Sequence, residues 1–298
     1  MQKLITIITP TYNRKQKLKK LYYSLTQQSS YNFIWLVVDD GSTDDTDKLI
    51  QKYQKEDAPF HINYLQEKNG GKHRALNLGI SKIKSKLTFI VDSDDTLTSD
   101  AVVNIEKAYE KNKNKTNFGG LVFLRANDKN ELLINKLPPN GSYSSYVDER
   151  LRKNISGDMA EIWVTELLKK NPFTEFKNEK FLSEDVVWMK ISGKEKLYFE
   201  NKIIYKANYL TDGLTKNRRK NNWNSPRGCM YKGWLLLTLK YIPIKYRFKG
   251  GLYFNVYGYS LKYNSRQLVI RSNQNPFVML TLVPAKLIYI NWKRKYSK

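Results

Sequence analysis

A doubly covered α/β fold is predicted by three observations. Short apolar runs alternate with stretches that carry apolar residues at helical spacing, and the runs are nearly continuous rather than alternating. Loops rich in Asp, Asn and Gly follow the carboxyl ends of those runs, where ligands bind in open α/β sheets. Residues 4–9 form the first run, Pro10-Thr11-Tyr12-Asn13 ends it, and 14–28 places Leu18, Leu21, Tyr22 and Leu25 on one helical face. The second unit is the run 33–38, the turn Asp39-Asp40-Gly41-Ser42, and a helix over 43–55 with Leu49, Ile50 and Tyr53 inward. The third is 61–65, then Asn69-Gly70-Gly71-Lys72 and a helix with Ala75, Leu76, Ile80 and Ile83 inward. The fourth run, Phe89-Ile90-Val91, enters Asp92-Ser93-Asp94-Asp95 directly.

Beyond these units the pattern predicts a helix over 101–111, a polar connector at 113–117 and a strand over 121–125. An extended loop follows over 127–146, around Pro138-Pro139-Asn140-Gly141. Residues 158–170 read as an amphipathic helix with Ile162, Trp163, Val164 and Leu167 inward, 184–191 as a short helix, and 196–206 as a strand. From about residue 208 the character changes: 216–222 is basic, and 230–244 and 275–290 are aromatic and aliphatic with interspersed lysines. The expected division is a catalytic domain over 1–212 and a basic, aromatic-rich, amphipathic helical region over 213–298. No fixed-period repeat is present.

Lys and Arg total 52 against 28 Asp and Glu, a formal charge of +24. Such an imbalance concerns partners rather than fold and points to phosphate-bearing substrates, an anionic membrane face or nucleic acid. The single Cys229 excludes an internal disulfide framework and a Cys-rich zinc site. No signal-peptide pattern precedes the first strand, and the apolar segment 277–290, interrupted by Pro284 and Lys286, falls short of the ~20 residues a spanning helix needs. A cytoplasmic protein, peripheral on the inner face of the membrane, is therefore expected. Basic residues interleaved with apolar runs suit an anionic lipid surface better than nucleic acid.

Three motifs carry candidate chemistry. Carboxylates at Asp92, Asp94 and Asp95, where a strand leaves the core, suit a hard divalent cation that grips substrate phosphates; the competing account is helix capping, which Thr98 or Ser99 can supply instead. The Asn69-Gly70-Gly71-Lys72-His73-Arg74 turn offers backbone N–H groups, Lys72 and Arg74 to a diphosphate at a helix start, with His73 as a polar loop residue rather than a metal ligand. The pair Glu184-Asp185 serves either as dipole compensation at a helix start or as a general base with its orienting partner.

In combination, Thr-Pro-Thr-Tyr-Asn (9–13), Asp-Asp-Gly-Ser, Asn-Gly-Gly, Asp-Ser-Asp-Asp and Glu-Asp resemble the family-2 inverting glycosyltransferases of GT-A fold over about residues 4–212. The segments 157–161, 179–181 and 209–215 look like the bacterial surface-polysaccharide and teichoic-acid branch. The resemblance implies a UDP-sugar donor, Mn²⁺ or Mg²⁺, and a glycan or lipid-linked glycan acceptor. It places Pro10, Tyr12, Gly71, Lys72, Arg74 and Ser93 around the nucleotide-sugar, Asp40 on the uracil edge, and Asp92 on the ribose or a metal-bound water. Asp94 would ligate the metal, with Asp212 as a second ligand, and Asp185 would deprotonate the acceptor, leaving Glu184 as the orienting member of that pair. The Gln-x-x-Arg-Trp motif of processive members is missing, so Arg218 or Arg219 joins Lys72 and Arg74 as candidate diphosphate contacts. Alternative expectations are protein O-glycosylation by the same chemistry, a nucleotidyltransferase, and a non-enzymatic polyanion binder.

Overall fold

The computed structural model describes residues 2–208 and 218–296. The chain forms two compact units, Met1–Pro172 with Lys194–Asn208, and Phe173–Gly193 with Tyr209–Lys298. The segment 173–193, which a linear division leaves with the catalytic domain, thus packs with the C-terminal helices.

The first unit is built on one mixed sheet. Its opening strands are β1 (Ile5–Thr11), β2 (Phe33–Asp39), β3 (His61–Gln66) and β4 (Leu87–Ile90), all parallel, with β1 between β2 and β4. Between them run α1 (Lys15–Thr26), α2 (Thr46–Lys55) and α3 (Lys72–Lys82). Every residue of β1 is buried, as a strand covered on both faces requires, and the inward faces of α1, α2 and α3 are those the spacing predicts. Burial of side chains such as Phe33, Trp35 and Phe89 contributes about 1.5–3 kcal/mol each. The one polar atom that Trp35 brings inside, its indole N–H, donates to Thr9 Oγ1 at 3.0 Å.

The remaining elements of this unit are β5 (Thr96–Leu97), α4 (Ala101–Asn112), β6 (Phe118–Ala126), β7 (Tyr143–Ser144), a π-helical turn at Asp148–Arg152, β8 (Met159–Val164), α5 (Thr165–Lys170) and β9 (Lys196–Lys206). The sheet order is β3-β2-β1-β4-β8-β6-β9-β5, with β7 also on β9.

The helix expected over 158–170 is therefore a strand followed by a helix of less than two turns. β8 is antiparallel to both β4 and β6, with Ile162 opposite Phe89 and Leu121. Ile162, Trp163 and Val164 are β-branched or aromatic, and a short run buried on both faces has no period that distinguishes strand from helix. Gly120, at φ 150°, makes room for it, since a Cβ there would collide with the Ile162 carbonyl oxygen.

The second unit is helical: α6 (Asp185–Ile191), α7 (Arg218–Trp223), α8 (Pro226–Thr238), α9 (Ile244–Ser260), α10 (Ser265–Arg271) and α11 (Pro276–Tyr296). Its core includes Leu237, Phe254, Val256, Tyr259, Leu268, Val278 and Ala285. Glu179 anchors the start of α8, where its carboxylate accepts from the Arg227 and Gly228 backbone N–H groups, both at 2.8 Å. Those donors have no intrahelical partner, and an anion there also meets the positive end of the helix dipole. Pro284 does not end α11, a helix of 21 residues that runs through it.

Candidate active site

In the first unit, the loops after β1, β2, β3 and β4 form a network at the strand tips. Asn13, in the left-handed region at φ 51°, accepts from the Thr43 N–H at 2.8 Å and donates its own N–H to Ser42 Oγ at 2.8 Å. Asp39 accepts from the Ser42 N–H at 2.8 Å and the Tyr64 hydroxyl at 2.7 Å. Asp40 is buried, and its carboxylate accepts from Gly70 N at 2.6 Å, Gly71 N at 2.8 Å and Asn69 Nδ2 at 3.0 Å. Asp40 is thus the tie between the second and third loops, and these contacts draw on the lone pairs that the uracil edge would require. Gly41, at φ 78°, permits the approach, because a Cβ there would lie 2.8 Å from Asn69 N.

The acidic loop after β4 is answered by cations from two other loops. Arg14, the residue before α1, places Nη1 2.5 Å from Asp94 Oδ2, and Lys72, the first residue of α3, places Nζ 2.5 Å from Asp92 Oδ1. Behind them lies a further polar group. The Tyr205 hydroxyl accepts from the Asp92 N–H at 3.0 Å and donates to Asp95 Oδ2 at 2.7 Å, while the Arg125 guanidinium lies 4.0 Å from the Tyr205 ring centre.

Charge is divided unequally over this loop. Burial pushes the Asp92 carboxyl up, but Lys72, Arg125 and Arg14 outweigh it and hold it below the usual range. Asp95 is pushed up to about 7 by burial and by the neighbouring Asp92 charge, against the Tyr205 hydrogen bond. Within one turn, Asp92 thus favours its ionised form while Asp95 keeps its proton up to about 7.

The other predicted residues of this unit fall as follows. Pro10 is buried in β1, Tyr12 is exposed beyond it, Ser93 is buried, and Gly71 adopts φ 99° ahead of α3. Arg74 lies in the first turn of α3, where a Cβ on Gly70 would meet its Cδ at 2.5 Å. His73 is not a loop residue: it is buried in α3. Asp212 lies outside the described residues.

Asp185 belongs to the second unit, at the first position of α6, with Glu184 as the residue before it. Its Oδ1 accepts from Ser183 Oγ at 2.5 Å and its Oδ2 is paired with Lys232 Nζ of α8 at 2.5 Å. Burial raises the Asp185 carboxyl, but Lys232, Ser183 and Lys249 prevail, and the group is held below its ordinary value. Lys249, in α9, is lowered by burial and by the charges of Lys232 and Arg218.

Arg14, Arg125, Tyr205 and Lys232 are the residues that motif reasoning did not select. Arg125 and Lys232 had a local signal, a lone charge within an apolar run. Arg14 had none, being one of several basic residues at a helix start.

A divalent cation is compatible with the donors after β4. Mg²⁺-type sites use one or two carboxylates and take further oxygens from water and substrate phosphates, which Asp92 and Asp94 match in number and chemistry. Among the described residues no group of three or more His, Cys, Asp or Glu side chains is placed to hold a metal ion.

The comparisons with known proteins agree on fold and family. A segment of the Bacillus subtilis putative teichuronic acid biosynthesis glycosyltransferase TuaG is 34% identical over 107 residues, covering 36% of this chain and 41% of that protein. The Campylobacter jejuni GalNAc(5)-diNAcBac-PP-undecaprenol β-1,3-glucosyltransferase is 28% identical over 223 residues, covering 72% and 69%. The match to TuaG thus spans less than half of that relative's length. The crystal structure of Staphylococcus aureus TarS 1–349 with UDP-GlcNAc aligns with a TM-score of 0.59 at 18% identity, over 90% of this chain and 79% of that one. The Pyrobaculum calidifontis mannosyltransferase PcManGT, in complex with GDP-Man and Mn²⁺, aligns at 0.57 and 14% identity, over 100% and 85%. These establish the GT-A fold, with a C-terminal helical extension on this chain. The glycosyl transferase family 2 model matches residues 6–159, more than half of the sequence, and the chain therefore belongs to glycosyl transferase family 2.

Proposed function

We propose that this protein transfers a sugar from a UDP-sugar to a hydroxyl of a bacterial cell-surface glycan precursor, with inversion and with Mn²⁺ or Mg²⁺. The observation that carries the donor half is the charge arrangement after β4. Arg14 and Lys72, each at a helix start where anions are favoured, neutralise Asp94 and Asp92. A metal diphosphate supplies the same charges in exchange: its phosphates suit the two cations, and its metal suits the two carboxylates. Asp94, Asp92 and, from the resemblance, Asp212 are the residues that would hold the metal, which stabilises charge on the departing diphosphate.

The acceptor half is assigned to Asp185, with Glu184 beside it. The acceptor hydroxyl oxygen attacks the anomeric carbon, Asp185 takes its proton, and the bond to UDP breaks with the electron pair leaving on UDP. Lys232 and Ser183 keep Asp185 ionised, the only state from which it can take that proton. The acceptor class is supported by relatives whose names specify teichuronic acid biosynthesis and an undecaprenyl-diphosphate-linked glycan. Such acceptors suit an enzyme docked on an anionic inner membrane surface, and no helix among the described residues is long and apolar enough to cross a membrane.

The test is a panel of UDP-sugars with Mn²⁺ and lipid-linked acceptors, reading both released UDP and pyrophosphate. UDP release coupled to acceptor glycosylation is the expected result. Pyrophosphate release would replace the assignment with nucleotidyl transfer, and full activity in chelator would remove the metal.

A further inference from the structure

The longest helix of the second unit carries an apolar face that no described element of that unit covers. On α11, Met279, Leu280, Val283, Leu287 and Ile290 are all exposed, with Leu280, Val283 and Leu287 at 68%, 73% and 66%. At 3.6 residues per turn they form one stripe about 100° wide. Lys286 and Lys293 border it on one side and Lys295 on the other, and Arg294 lies at its C-terminal end.

The opposite face is fixed to α9, so the stripe cannot turn inward. Val278, Thr281 and Ala285 are buried there. Asn255 donates to the Val278 carbonyl at 2.8 Å and to Thr281 Oγ1 at 2.9 Å, and Gly251 approaches so closely that a Cβ would collide with the Phe277 carbonyl oxygen. Rotation of α11 by one residue would break both hydrogen bonds and bury a lysine.

We infer that this stripe is the membrane-docking face of the protein, seated in the headgroup region of an anionic bilayer with α11 lying in the membrane plane. The assignment rests on the membrane-peripheral part of the proposed function and gives it a surface. Two features select lipid as the occupant. The cations bordering the stripe meet anionic headgroups when the apolar side chains enter the acyl boundary, the pattern of interfacial helices. A second copy seated on the same stripe would instead bring Lys286, Lys293 and Lys295 against their own like charges, in a chain already at +24. Lys286 also places Nζ 4.4 Å from the Tyr259 ring centre, a cation–π contact with α9.

The experiment compares the full chain with its L280E/V283E/L287E variant. It measures co-sedimentation with vesicles of equal parts phosphatidylglycerol and phosphatidylcholine, and with phosphatidylcholine alone, alongside light scattering, Tm and UDP affinity. The native chain should bind the anionic vesicles, and the variant should bind them at least about tenfold more weakly with Tm and UDP affinity unchanged. Equal binding by both proteins would overturn the face assignment while leaving membrane docking in place. Failure of the native chain to bind would overturn docking itself. A native dimer that the variant dissociates would make a second copy the occupant and overturn the lipid assignment.

Discussion

The carboxylates after β4 and the carboxylate that begins α6 are held by opposite electrostatic strategies. Asp92, Asp94 and Asp95 crowd one turn, where Lys72, Arg125 and Arg14 hold Asp92 low against burial, while burial and the Asp92 charge push Asp95 up to about 7. At Asp185 burial raises the carboxyl, and Lys232, Ser183 and Lys249 outweigh it. The first arrangement suits exchange of paired charges for a bound ion, and the second suits one group kept ionised to accept a proton.

The largest expected effect separates these two roles. Asp185→Asn should lower transfer by about 10²–10⁴-fold while leaving UDP and Mn²⁺ affinity nearly intact, because an amide cannot take the proton. Asp94→Ala should lose transfer together with Mn²⁺-dependent UDP binding, as read by calorimetry. Full transfer in Asp185→Asn would end the base assignment, and unchanged Mn²⁺-dependent UDP binding in Asp94→Ala would end the ligand assignment.

A smaller effect concerns pH. With its carboxyl depressed, Asp185 is ionised throughout the neutral range, so this group should limit transfer only below the ordinary Asp value of about 3.9. Lys232→Met removes the largest stabilising influence and leaves burial to raise the group, so the acidic limb of kcat/KM against pH should move upward. An unmoved limb would mean that Lys232 does not set the charge state of Asp185. The same depressed value implies a stability contribution present above the unfolded-state value and lost as pH falls through the folded one.

The smallest effect tests the frame beneath Asp185 rather than its chemistry. Glu179→Ala leaves the first N–H groups of α8 without their acceptor and should destabilise the protein by about 1–3 kcal/mol in urea unfolding. Undiminished stability in that variant would show that solvent replaces Glu179 at the α8 start.

The four opening strand-helix units were legible in the sequence, because each apolar run ended in a turn and each helix showed its period. Residues 158–170 form a strand and a short helix where the spacing predicts one helix, for a physical reason. Trp163 and Ile162 are buried on opposite faces of β8, and a short apolar run buried on both sides has the same appearance in either conformation. His73 lies in α3 rather than in the loop because the glycines before it mark the turn but not the residue at which α3 begins.

The sequence by itself determined which carboxylates are candidates and in what order they occur, since Asp-Asp-Gly-Ser, Asp-Ser-Asp-Asp and Glu-Asp are local patterns. It also determined the basic character of the chain, a formal charge of +24. Only the tertiary structure decided what each carboxylate is paired with. Arg14 reaches Asp94 across 80 positions of chain, and Tyr205 reaches Asp95 across 110, separations at which no local period operates. Asp40 likewise proved to be the tie between two loops, and Lys232 the partner of Asp185. A carboxylate's type is written locally, but its charge state is set by burial and by cations that the fold brings from elsewhere.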